Sequence, residues 1–289
     1  MPQKIAVMVV HGIGTQSPDF AEPVAGYLKS AFTLQLSYQV DDPAAQVVVR
    51  PAYWAPVLDG LQHKLWQRMQ TSPNPLDFSG LRKFGLNSVA DAIAYQPTTG
   101  YRHLYDQIHH VLMNTLRELA ELAGPRAPLC VIAHSLGTVI ASNYFYDLRQ
   151  YQNKVSLESQ IMTKLGDSAL EKGHTFAFFY TLGSPIPLWS LPYDDFGQAL
   201  TFPPPELADL HPALTPEWVN LYDRDDVIGF PLRPLNATYA RSVTQDREVN
   251  VGNIFERELP LSHLVYWQAD AVRRPIAAQL VAAWRAVNT

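Results

Sequence analysis

The sequence predicts an α/β protein: a mostly parallel central sheet of about six strands with helices on both faces. Three observations carry this. Short apolar runs rich in β-branched residues, such as Ile5–Val10, lack polar alternation, the pattern of strands buried on both faces. Segments with helical spacing or long connections separate those runs, which implies parallel crossovers rather than hairpins. No internal repeat or low-complexity linker divides the 289 residues, so one domain over 1–289 is expected.

Composition narrows the class. Hydrophobic content of 47% and charged content of 17% belong to a compact folded chain. A net charge of −5 without a long basic run gives no electrostatic reason to expect nucleic acid. No stretch reaches the roughly 18 uninterrupted apolar residues of a spanning helix, and the first apolar run ends at His11-Gly12, too short for a signal peptide. The expectation is a soluble, cytoplasmic protein, and the single Cys130, set inside an apolar run, reads as a buried thiol.

Taken in order, Ile5–Val10 is a strand that runs into His11-Gly12-Ile13-Gly14, where glycines permit a sharp turn. A helix follows over 20–36, and residues 47–49 form a second strand closed by Pro51. Trp54, Leu58, Leu61, Leu65 and Met69 share a helical face, and another helical piece spans 86–95. Segment 53–96 is longer than a crossover requires, so it reads as covering helices or a lid. A strong amphipathic helix over 101–123 stops at Gly124-Pro125. Leu129 opens the next strand. Residues 153–173 form a polar excursion with a helix over 157–165, and 174–182 is a buried strand ending in Gly183-Ser184-Pro185. Segment 192–216, with three consecutive prolines at 203–205, is a surface loop suited to wall a site. Further strands lie at 218–222 and 248–251, and 272–287 is a closing helix.

The chemistry gathers at residues 129–140. An apolar strand breaks at Ala133-His134-Ser135-Leu136-Gly137, and apolar residues then recur at helical spacing. Strand, tight turn with a serine at its tip and helix make the layout of a nucleophile elbow, whose crowded backbone needs small residues two before and two after the serine. Ala133 and Gly137 meet that need. Acyl transfer then requires a base, a group that orients it, and amide donors for the oxyanion. In the order nucleophile, acid, base, His263 is the one histidine beyond the acidic candidates, and Leu264-Val265-Tyr266-Trp267 after it reads as a helix start. The acid lies in Asp223-Arg224-Asp225-Asp226-Val227-Ile228-Gly229. Apolar residues behind it favour Asp225, with Asp223 and Asp226 as alternatives. The expected oxyanion donors are the backbone N–H groups of Leu136 and Ile13. His11 shapes the glycine loop or touches substrate, with the structural role favoured, and His134 packs away from the chemistry. The glycine loop lacks the lysine and spacing of a phosphate loop. Adjacent His109 and His110 project about 100° apart and do not converge on a metal, so neither a metal nor a cofactor is expected.

These motifs resemble the α/β-hydrolase superfamily on its lipase and esterase side. The resemblance rests on Val9-Val10-His11-Gly12-Ile13-Gly14, Ala133-His134-Ser135-Leu136-Gly137, Thr181-Leu182-Gly183-Ser184-Pro185, Asp225-Asp226-Val227-Ile228-Gly229 and Ser262-His263. Gly-Ser-Pro after a strand is similar to the Gly-x-Pro of fungal-type lipases, and Val-His-Gly-Ile-Gly with Ser-Leu-Gly-Thr-Val-Ile resembles DDHD-type phospholipases. The resemblance implies a serine hydrolase that cleaves a carboxylic ester through an acyl-enzyme, on a small-molecule or lipid substrate, with transient contact to a lipid surface. A thioester, a peptide, acyl transfer to another acceptor, or ligand binding without turnover are the alternatives on the same frame. Oligomeric state is not written in these motifs.

Overall fold

The computed structural model describes residues 2–14, 16–70, 91–96, 102–155, 162–251 and 262–289. Six strands form one parallel sheet: β1 (Ile5–Val10), β2 (Val47–Ala52), β3 (Leu129–His134), β4 (Phe176–Leu182), β5 (Glu217–Tyr222) and β6 (Gln245–Glu248). Their spatial order is β2-β1-β3-β4-β5-β6. The order reverses between β1 and β3, the kind of switch point beside which open α/β sheets place ligands.

Side-chain alternation divides the core into two layers. Ala6, Met8 and Val10 of β1, with Leu129, Val131 and Ala133 of β3, join α2 (Pro56–Gln70), α3 (Arg102–Ala123) and α4 (Leu136–Gln152) on one face. Ile5, Val7 and Val9, with Cys130 and Ile132, pack against α1 (Glu22–Leu36) and α5 (Asp270–Asn288) on the other. Both faces are covered, which is why the strands read as continuous apolar runs. In β4 the pairing with β3 slips so that Leu129 faces Phe176 and Cys130 faces Phe178. The extra residue, Ala177, resets the parity, leaving Phe176 and Phe179 on one layer and Phe178 and Tyr180 on the other.

Several boundaries differ from expectation. β2 continues through Pro51 to Ala52, because it is an edge strand where a missing N–H is tolerated. β6 lies at Gln245–Glu248 rather than 248–251, and it is half-exposed at the opposite edge. On α2 it is Leu58 and Trp66 that are buried, while Leu61, Leu65 and Met69 are exposed. Residues 91–94 are helical and Tyr95 ends the turn, while residues 86–90 of the expected helical piece lie outside the described residues, as does most of 157–165. Segment 192–216 is mainly irregular, with a 3-10 turn at Asp194–Phe196 and a helical turn at Leu207–Leu210, yet it packs inward: the Phe202 ring lies 5.2 Å from that of Phe176. Cys130 is fully buried, and burial together with nearby Glu217 pushes its thiol well above the usual range. Among the described residues no helix is long and apolar enough to cross a membrane.

Candidate active site

At the carboxyl end of β3, Ser135 has φ +53° and ψ −131°. A non-glycine residue with positive φ is strained and persists only where its surroundings hold it. Here the Ser135 amide donates to Leu182 O of β4 at 3.0 Å. Its carbonyl accepts from the amide and hydroxyl of Thr138, at 2.9 and 2.7 Å. Thr138 Oγ1 also meets Ser184 Oγ at 2.8 Å, tying the first turn of α4 to the loop after β4. The small residue two places on has a plain cause: a Cβ on Gly137 would stand 2.7 Å from Val10 O and closer still to His11 O.

His263 arrives from a 3-10 turn at Ser262–Leu264, a tighter structure than the helix start expected there. Its Nε2 is 2.6 Å from Ser135 Oγ, and its Nδ1 lies 2.9 and 3.1 Å from the two carboxylate oxygens of Asp226. The network assigns the tautomer: Nδ1–H donates to the carboxylate and Nε2 accepts the serine hydroxyl. Ser135, His263 and Asp226 are all buried.

The expected acid, Asp225, is not the residue that meets the histidine. The Asp225 amide donates to Asp223 Oδ1 at 2.9 Å and the Asp226 amide to Asp223 O at 3.2 Å, a side-chain-supported turn. That turn leaves Asp225 and Val227 exposed and swings Asp226 inward. The apolar backing anticipated from Val227 is therefore absent, and Val227 is 74% exposed. Asp223, the other alternative, is a brace: its second oxygen accepts Val251 N at 2.7 Å. Burial pushes the Asp226 carboxyl up, but hydrogen bonds and charge from His263, with the Ile228 amide and the Tyr266 hydroxyl, outweigh it and hold it below the ordinary value. Space for that carboxylate is made by Gly183, at φ +52°, where a Cβ would stand 2.8 Å from Asp226 Oδ2 and 3.2 Å from His263 Nδ1.

Residues 11–14, after β1, lie against the elbow. A Cβ on Gly12 would come 2.6 Å from Ser135 Cβ, so this loop and Leu136, the first residue of α4, flank the serine from two sides. His11 takes the structural role. Its Nδ1–H donates to Gly12 O at 2.8 Å, while Nε2 accepts the amides of Trp54 and Ala55 at 3.2 and 3.3 Å. The Trp54 indole stacks on the imidazole with centroids 4.5 Å apart and donates Nε1–H to His11 O at 3.0 Å. Burial lowers the His11 pKa to about 4, against the opposing pull of the Gly12 carbonyl, so the ring is neutral.

His134 has a part that its position next to the serine did not reveal. Its Nε2 donates to the His263 carbonyl at 2.6 Å, and the two rings lie 4.9 Å apart. Burial first, and then the charge of His263, lower its pKa to about 3. His134 thus fixes the main chain of His263, whose Nε2 faces the Ser135 hydroxyl. Asn220, buried in β5, was also missed: it bonds Thr181 Oγ1, Asp246 Oδ1 and Phe230 O, anchoring the segment after the acid turn. A polar residue inside an apolar strand was the available signal.

Among the described residues no group of three or more His, Cys, Asp and Glu converges to hold a metal ion. His109 instead meets the Tyr95 hydroxyl at 2.8 Å in a buried cluster. No protein-family model matches the chain, and no curated protein matches it.

Proposed function

We propose that this protein is a serine hydrolase of the α/β-hydrolase kind that cleaves a carboxylic ester. The observation that carries the reading is the unbroken row Ser135 Oγ, His263 Nε2, His263 Nδ1 and Asp226, with the serine at positive φ on a strand-to-helix turn. A six-stranded parallel α/β sheet with its elbow on β3 is compatible with that superfamily.

The chemistry follows from those atoms. Ser135 Oγ attacks the ester carbonyl carbon while its proton passes to His263 Nε2. Asp226 stabilises the imidazolium that forms. The amides of Leu136 and Ile13 receive the negative charge that develops on the carbonyl oxygen. Collapse expels the alcohol, which takes the proton from His263 and leaves an acyl-serine. Water then attacks the acyl carbon with His263 as base, and the acid leaves as the serine regains its proton. The test is labelling with a fluorophosphonate, expected for the wild type and lost in Ser135→Ala and His263→Ala. Folded wild type that takes no label is a binder or has another chemistry. A series of esters of rising chain length, with and without micelles, then separates soluble from lipid substrates.

A further inference from the structure

The loop that flanks Ser135 is clamped at both ends. At its start, His11 is locked by the Trp54 and Ala55 amides and by the Trp54 indole, all from the chain that leads into α2. At its far end, the Gly14 amide donates to Asp91 Oδ2 at 2.7 Å. The other oxygen of Asp91 accepts from the Gln62 side chain on α2. One carboxylate, 2% exposed, thus ties the loop after β1 to α2 and to the helical turn at 91–94.

That turn is itself anchored. Four residues beyond Asp91, Tyr95 is fully buried, its ring stacked on Tyr105 at 4.9 Å and its hydroxyl against His109 Nε2 of α3. Between the two clamps only Gly12 and Ile13 are left, and a Cβ on Gly12 would stand 2.6 Å from Ser135 Cβ. Burying a carboxylate is unfavourable, and an apolar residue here would cost the fold less. Burial lifts the Asp91 carboxyl to about 6, against lowering hydrogen bonds from Gly14 and Gln62 and with a further lift from Asp59.

On the serine-hydrolase reading, we infer that Asp91 is a positioning residue for the oxyanion donor: by holding the Gly14 amide it aims the neighbouring Ile13 N–H at the carbonyl oxygen bound beside Ser135. A misaimed donor weakens binding of the oxyanion, present in the transition state, and leaves ground-state ester binding almost untouched.

The experiment compares wild type with Asp91→Ala and Asp91→Asn for ester hydrolysis, fluorophosphonate labelling, and affinity for a trifluoromethyl ketone whose adduct carries an oxyanion. In Asp91→Ala, kcat is expected to fall on the order of 10- to 100-fold with KM within about twofold, and ketone affinity to fall by a similar factor. Asp91→Asn keeps an oxygen for Gly14 and is expected to recover most of the loss. If the alanine variant does not fold, Asp91→Ser, too short to reach Gly14, replaces it. Wild-type kcat in the alanine or serine variant, or no recovery with asparagine, overturns the positioning role while the hydrolase reading stands. An unlabelled wild type overturns the hydrolase reading itself and this role with it.

Discussion

Tyr266 and Asp226 meet across a 3.0 Å hydrogen bond in which the phenol donates to the carboxylate, and the same hydroxyl accepts the Asp223 amide at 2.8 Å. One buried side chain therefore holds both ends of the turn that carries the acid. Tyr266→Phe keeps the ring and deletes both bonds, leaving the buried Asp223 N–H without this acceptor. Stability is expected to drop by about 1–3 kcal/mol, read as a lower urea midpoint. On the proposed ester-hydrolase reading, turnover should slow about tenfold, equivalent to about 1.4 kcal/mol at the barrier. Unchanged midpoint and turnover would remove Tyr266 from the account.

The three aspartates of that turn separate by substitution. Asp226→Asn keeps the shape but places an amide opposite Nδ1–H, which favours the wrong tautomer of His263. A loss in kcat on the order of 10³–10⁴-fold is expected. Asp225→Asn, at an exposed position, should stay within about twofold. Steady-state kinetics with the two effects reversed would return the acid to Asp225.

Gly183 answers to two constraints, a positive φ and the carboxylate beside it. Gly183→Ala adds a methyl that must push Asp226 or the Tyr266 ring, 2.9 Å away at Cε2, out of place. Strain of about 1–3 kcal/mol and a fall in turnover larger than that of Tyr266→Phe are expected. Thermal melts and kinetics of a folded, fully active alanine variant would contradict the packing.

Acid should destabilise the fold through two histidines. His11, lowered to about 4, and His134, lowered to about 3, are neutral when folded but take up protons near 6.5 when unfolded. The unfolded state thus binds more protons below pH 6.5, so their stabilisation is complete above that pH and is lost as pH falls through the folded values. At about 1.4 kcal/mol per unit the losses are of order 3 and 5 kcal/mol. Asp91 has the opposite sign. Raised to about 6, it holds its proton in the fold while the unfolded chain releases it near 3.8, so its contribution is complete below 3.8 and is lost as pH rises through 6. Urea midpoints between pH 7 and 4 should therefore fall more steeply in Asp91→Asn than in wild type. Parallel curves for the two proteins would refute the buried-charge assignment.

What the chain carries locally could be read from it. Ile5–Val10 and Leu129–His134 announce themselves as doubly covered strands because both their side-chain rows are apolar. The elbow is legible for a steric reason: a serine between a strand and a helix with Ala133 and Gly137 around it fits a backbone that leaves no room for side chains. Chain order isolated His263. The choice among Asp223, Asp225 and Asp226 lay beyond local pattern, because the turn's direction is set by Val251 and Tyr266, far along the chain.

The same holds for His134, whose contact with the His263 carbonyl spans 129 residues, and for Asp91, which reaches Gly14 across 77. By itself, then, the sequence determined the layers and singled out the serine and the histidine that the fold brings together, since periodicity and steric demand act between near neighbours and chain order leaves one histidine after the acid turn. Only the tertiary structure decided which carboxylate faces the imidazole and what holds the flanking loop, because hydrogen-bond direction in turns depends on partners that folding brings from elsewhere.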